Sequence, residues 1–184
     1  MTEPDWFSVV EGEALEQGDL LRDCPVPVVH APGGFAEAGE VDVDVQLHDL
    51  CVLTQSCDLA NAKVDTVLLG RVVSWSDLVE AKKATDPGFG GQKMRVKVRQ
   101  GLLPDVCLLH RRKSAPKLAW SVVDFHHLYV LPRAVVTAHA VALGPRLRLE
   151  SPYREHLAQA LARFFMRVGL PHDARTFDGD PGPP

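Results

Sequence analysis

Between residues 41 and 53 the chain passes from strict alternation to an unbroken apolar run, and that pattern calls for a β-sheet. Val41, Val43, Val45 and Leu47 alternate with Asp42, Asp44, Gln46 and His48. A period of two sends the two sets to opposite faces of a strand, whereas a helix would scatter them around its surface. The stretch predicts a half-exposed strand. Leu50-Cys51-Val52-Leu53 then carries no polar side chain, as in a strand entering a core, and Thr54-Gln55-Ser56-Cys57-Asp58 reads as its polar end.

Other segments extend the pattern. Gln17-Gly18-Asp19 marks a turn, and Leu20 to Cys24 leads into Pro25 and Pro27, which should break or edge a strand. The glycine- and proline-bearing stretch from His30 to Glu40 is expected as a loop. Val64 to Val73, Cys107-Leu108-Leu109 and Val122 to Leu131 read as strands, Lys93 to Arg99 alternates like one, and Val135 to Leu149 fits a closing hairpin around Gly144-Pro145. A short helix is expected from Asp77, with Glu80 as its capping partner, ending before Asp86-Pro87-Gly88, with a loop from Gly88 to Gln92. The best-defined helix is the last one. Ser151 suits its N-cap and Pro152 its first position, Leu157, Ala160, Leu161, Phe164, Phe165 and Val168 form its apolar stripe, and Gly169 and Pro171 end it. The fold class is α+β and β-rich: a small SH3-like barrel, or a strongly bent sheet packed against the C-terminal amphipathic helix.

At 184 residues the chain suits one globular domain over 1–171 with a disordered tail over 172–184. Aromatic residues make up only 7%, so the core must rest on Val, Leu and Ala. No apolar run nears the roughly 20 residues of a membrane helix. The acidic start Met1-Thr2-Glu3-Pro4-Asp5 lacks the features of a secretion leader. Cys24, Cys51, Cys57 and Cys107 are then read as reduced thiols in a cytoplasm. No cofactor is expected, since phosphate-loop and dinucleotide-binding patterns are both missing.

The net charge of −4 conceals an asymmetry: residues 1–50 carry a net −11, and residues 82–117 a net +8. Within the basic segment Lys93, Arg95, Lys97 and Arg99 fall on every second residue, interleaved with Met94, Val96 and Val98. On a strand these four cations share one face at about 6.6 Å spacing, close to the phosphate repeat of an extended nucleic acid. Arg111, Arg112 and Lys113 extend the basic set. Such a stripe attracts nucleic acid or an acidic protein partner. It is equally open to facing the acidic segment of its own chain, or to being solvated.

Cys57 and Asp58 are the candidate catalytic pair, with Cys57 as a thiolate nucleophile if His48, His110, His126 or His127 stands within reach. The alternative is a small buried thiol beside a turn-forming aspartate. No metal site is expected. On a strand His48 and Cys51 face opposite ways, Cys51 and Cys57 lie about 20 Å apart, Cys107 and His110 split across faces, and the adjacent His126 and His127 diverge. Gly90-Gly91-Gln92 matches the release-factor tripeptide, which a glycine-rich loop explains equally well.

Thr54-Gln55-Ser56-Cys57-Asp58-Leu59 resembles a set of uncharacterised bacterial proteins with a T-Q-S/T-C-D motif after a buried strand. Gly18-Asp19-Leu20-Leu21, together with Leu50-Cys51-Val52-Leu53 ending in Thr54 and Ser56, is similar to the MazF/PemK-type growth-inhibitor barrels. That similarity implies a small SH3-like barrel and RNA cleavage. It covers less than a third of the chain, and His48-Asp49-Leu50 stands where those toxins carry an arginine-proline pair. The leading expectation is a non-enzymatic binding or accessory module of a larger bacterial system, contacting nucleic acid or an acidic protein through the basic stripe. The alternative is a nuclease or other hydrolase centred on Cys57 and Asp58.

Overall fold

A computed structural model describes residues 5–30 and 42–166. The alternating segment and the apolar run after it are one strand, β3 (Asp42–Val52), paired antiparallel with β2 (Leu20–His30). With β4 (Thr66–Ser74), β5 (Val106–Leu109) and β6 (Ser121–Pro132) they form a five-stranded sheet in the order β2-β3-β4-β6-β5. A second, two-stranded sheet joins β1 (Phe7–Val10) to β7 (Arg146–Leu149). It meets the first at Asp19↔Arg148, where Leu149 N donates to Gly18 O. Both sheets are antiparallel and neither is closed.

Among the described residues five helices connect or cover the strands: α1 (Ser56–Ala60), α2 (Trp75–Lys83), α3 (Gln92–Arg99), α4 (Arg133–Leu143) and α5 (Tyr153–Phe165). The unbroken apolar run has a direct explanation. Leu50 and Val52 enter a core beneath α4 with Val136 and Ala140, while Cys51 and Leu53 enter a second core with Phe7, Leu147, Leu149 and Leu157 of α5. Leu78, Val98, Val106 and Val122 make a third core under α2 and α3. The sheet is thus covered on both faces at its centre.

Two irregularities shape the sheet. Gly70 faces Leu128 but Arg71 faces Asp124, so β6 bulges at Phe125, His126 and His127. A Cβ on Gly70 would stand 2.7 Å from Val123 Cγ1 and 3.0 Å from Leu53 Cδ1, so only glycine lets the neighbours close in. A second shift falls between Leu21 and Cys24, where Asp23 has φ 47°. β3 pairs with β4 only over Leu50–Val52, leaving Asp42 to Asp49 with β2 as their one strand partner among the described residues. The hairpin therefore projects from the sheet as a two-stranded arm. Pro25 and Pro27, two residues apart, lose their N–H groups on the same side, the open edge of β2.

Several expectations are corrected. Lys93 to Arg99 is helix α3, not a strand. Residues 135–149 are not a hairpin: α4 runs to Leu143 and only Arg146 to Leu149 form a strand. Ser56, Cys57 and Asp58 open a helix instead of ending a strand. The cap of α2 is Ser74, whose hydroxyl accepts from Asp77 N at 3.1 Å, three residues before the expected start. Ser151 does not cap α5, which begins at Tyr153 after Pro152 without a side-chain cap; Leu157, Ala160, Leu161 and Phe164 pack inward as expected, but Phe165 is exposed. Of the loop expected from His30 to Glu40, His30 ends β2 and the rest lies outside the described residues, as do Val168 of the expected stripe, the helix end at Gly169 and Pro171, and the tail from 172. Among the described residues no helix is long and apolar enough to cross a membrane.

Candidate nucleic-acid interface and the Cys57 groove

The two motifs that carried the resemblances meet in space. Gly18 N donates to Val52 O at 2.8 Å, Gln17 Nε2 to Leu53 O at 2.8 Å, and Gln17 N to Ser56 Oγ at 3.1 Å. Thr54 Oγ1 accepts from Leu68 N at 2.7 Å. The polar side chains of Thr54 and Ser56 thus stitch the start of α1 to β4 and to the turn before β2. Gly18 (φ 89°) is required there, because a Cβ would lie 2.7 Å from Leu149 Cβ.

Cys57 is the exposed member of the four free thiols. Burial pushes Cys24 up to about 11 and Cys107 to about 12, and Cys51 well above its ordinary value, so these three remain protonated. Cys57 and Ser56 line an open cavity of about 1250 Å³ with Glu13, Glu16, Asp65 and Arg133. Among the described residues that line it there is no histidine. Cys57 Sγ instead approaches Gln55 Oε1 (3.6 Å) and Asp58 Oδ1 (3.8 Å), and Asp58 faces Lys63 at 3.8 Å. Of the four candidate bases, His48 stacks on Tyr129, His110 lies between Trp6 and Trp120, and His126 and His127 sit at the β6 bulge. The expected divergence of His126 and His127 is also corrected, since the bulge turns both toward Asp124. Its carboxylate lies 2.8 Å from His127 Nδ1 and 3.5 Å from His126 Nδ1. Burial, then the charges of Arg71 and His127, hold His48 below its ordinary pKa. Among the described residues no group of three His, Cys, Asp or Glu side chains, the Asp124 cluster included, is arranged to hold a metal ion.

Beside the groove lies an ionic cluster. Asp19 and Arg146 are both buried and pair at 3.0 Å. Arg146 also donates to Gly12 O (2.9 Å) and Ala14 O (2.6 Å), while Arg148 reaches Asp19 and Glu16, and Arg154 reaches Glu16. Burial lowers the Arg148 pKa, but its hydrogen bond to Asp19 and the charges of Asp19, Glu16 and Glu150 outweigh that and raise it. These cations hold the acidic N-terminal segment to β7. Within the acidic segment, Asp19 and Glu16 are therefore matched by Arg146, Arg148 and Arg154, which lie outside the basic segment of residues 82–117.

The basic set is arranged on a helix. Residues two apart lie on opposite flanks and residues four apart on the same one, so the single four-cation face becomes two pairs, Lys93 with Lys97 and Arg95 with Arg99. Val98 turns into the third core, which anchors α3 against β5, and all four cations remain exposed. Arg95 and Arg99 border a cavity of about 280 Å³ whose other walls include Trp75, Leu108 and Trp120. Val98, Arg99 and Leu108 also line an adjoining cavity of about 350 Å³ with Trp6, Tyr153, His156 and Gln159. An aromatic row runs along this surface: Tyr153 stacks on Trp6 at 3.9 Å, Trp6 neighbours His110, and His110 meets the edge of Trp120 at 4.3 Å.

Arg111 joins the site, with its guanidinium 6.0 Å from the Trp120 ring, and Lys113 is exposed on the following loop. Arg112 does not join it. Its guanidinium turns back onto the carbonyls of Ser114, Ala115 and Pro116 and shapes that loop. Reasoning from the sequence missed Trp6, Trp75 and Tyr153, which reach the basic helix from three distant segments. Comparison of the chain with protein-family models, curated proteins and solved structures finds no match.

Proposed function

We propose that the chain is a binding module that takes single-stranded nucleic acid along the cationic, tryptophan-bearing side of α3. The observation that carries this reading is the placing of Arg95 and Arg99 around a cavity walled by Trp75 and Trp120. Guanidinium groups take phosphates, and indole rings give splayed bases a stacking platform that duplex DNA has no free base to use. Arg99, at the rim shared by two cavities, suits a phosphate between consecutive nucleotides. An acidic protein would satisfy the cations and leave the aromatic walls without a role.

The test is fluorescence anisotropy with labelled single-stranded RNA, single-stranded DNA and duplex DNA across a salt series. Binding to single strands should weaken with salt, with a logarithmic slope of about −0.7 per neutralised phosphate. Arg95→Glu with Arg99→Glu should abolish binding while the melting temperature holds. Affinity retained in that variant rules the reading out, and binding of an acidic protein alone transfers the surface to the other partner class.

A second reading, hydrolysis at Cys57 and Asp58, is favoured by the large cavity that Cys57 lines. The same samples run on a denaturing gel distinguish the two. Cleavage lost in Cys57→Ser or Asp58→Asn supports the hydrolase, and intact ligand supports the module.

A further inference from the structure

We infer that the β2–β3 arm is a self-association surface, covered in solution by the arm of a second copy of this chain. The cross-strand register pairs Pro25 with Leu47, Pro27 with Val45, and Val29 with Val43. These six residues therefore share one face of the arm, and that face has no polar member. Val29, Val43, Val45 and Leu47 are exposed to 48%, 54%, 64% and 62%. On the opposite face Cys24 and Val26 are buried in the core under α4, and the acids Asp42 and Asp44 point the same way as Gln46 and His48.

An apolar face this continuous belongs to a packed sheet, and a two-stranded ribbon alone in water is marginal. Three features select a second copy as its cover. Pro25 and Pro27 remove two donors from the outer edge of β2, which disfavours strand addition on that side and leaves the apolar face as the surface to cover. A face with no charge of its own is complementary to an identical face, as a two-fold interface requires. At the base of the arm the cavity that Leu47 lines carries charges of both signs in balance, Arg22, Arg71 and Lys117 against Asp23, Asp49 and Asp77. That rim pairs with a second rim of the same kind without net repulsion. Six side chains supply only about half of the roughly 800 Å² that each partner of a stable pair contributes. The association is accordingly reversible and concentration-dependent.

Sedimentation equilibrium of the full chain from micromolar to several hundred micromolar tests this. The average mass should rise from 20.2 kDa toward twice that value. Val45→Glu with Leu47→Glu should weaken the association at least 100-fold, with the circular dichroism spectrum unchanged. Should that variant misfold, Val45→Cys under mild oxidation serves instead. It should give a covalent dimer above the background set by Cys57 in the unsubstituted chain, because equivalent residues meet near a two-fold axis. A mass of 20.2 kDa at every concentration overturns the proposal, as does a dimer indifferent to both substitutions.

Discussion

The cluster around Asp19 and the face of α3 are built from the same kind of side chain and stand in opposite surroundings. Arg146 is fully buried, and its Nε and both terminal nitrogens each have an acceptor among Asp19, Gly12 and Ala14. Arg95 and Arg99 are exposed beside tryptophans, and the Arg95 Nε donates to Gly90 O within its own turn. A charge taken out of water must be matched inside the fold, whereas a charge left in water can meet an anion from outside. The contrast shows that counting cations along a sequence does not locate a binding surface. Arg112, in the middle of the basic run, falls between the two: half-buried, with one terminal nitrogen turned onto backbone carbonyls.

The largest expected effect comes from breaking the inward group. Asp19→Asn leaves Arg146 buried without its counter-charge and should destabilise the fold by about 3–5 kcal/mol, lowering the melting temperature by on the order of 10 °C. A loss below 1 kcal/mol in urea unfolding would erase the distinction between the two regions. Next comes the outward group. Trp120→Ala should weaken single-strand binding by about 1–3 kcal/mol, roughly 5- to 150-fold, with little change in melting. An unchanged dissociation constant would remove the tryptophan wall from the site. The smallest effect places Arg112 between the two. Arg112→Gln should lower stability by about 1–2 kcal/mol through its lost carbonyl contacts and leave binding within twofold.

The parts legible in the sequence were those with a sustained period, although in β3 both faces of Asp42–Leu47 are exposed where one was expected to be covered. β3 shows its period of two and its passage into the core, and α5 shows an apolar stripe anchored by Leu157. The α3 segment misled because cations and apolar residues alternate through it, the pattern of a strand. Its helical signal was the Met94–Val98 spacing and the run of good helix formers, a signal weaker than strict alternation. α4 hid in β-branched and small residues, although Val136, Ala140 and Leu143 keep helical spacing. Of the candidate site, the cations and Trp120 were visible and the other aromatic neighbours were not. Trp6, Trp75, Trp120 and Tyr153 come together only through the β1–β7 pairing and the sheet order, which no local pattern encodes. Thr54 and Ser56, read as part of a reactive segment, bind backbone amides at a junction between elements.

The pairing of β1 with β7 also bears on synthesis. Asp19 and Arg146 are 127 residues apart in the chain. At ribosomal speeds of about 5–20 residues per second, the aspartate leaves the exit tunnel on the order of ten seconds before its partner. During that interval β1 has no strand to join, and Phe7 and Leu20 have no cover from Leu147, Leu149 or Leu157. Nascent chains of this protein should therefore be bound by holding chaperones until β7 and Leu157 emerge, and a ribosome stalled before Arg146 should display a sheet that has not yet acquired its second layer.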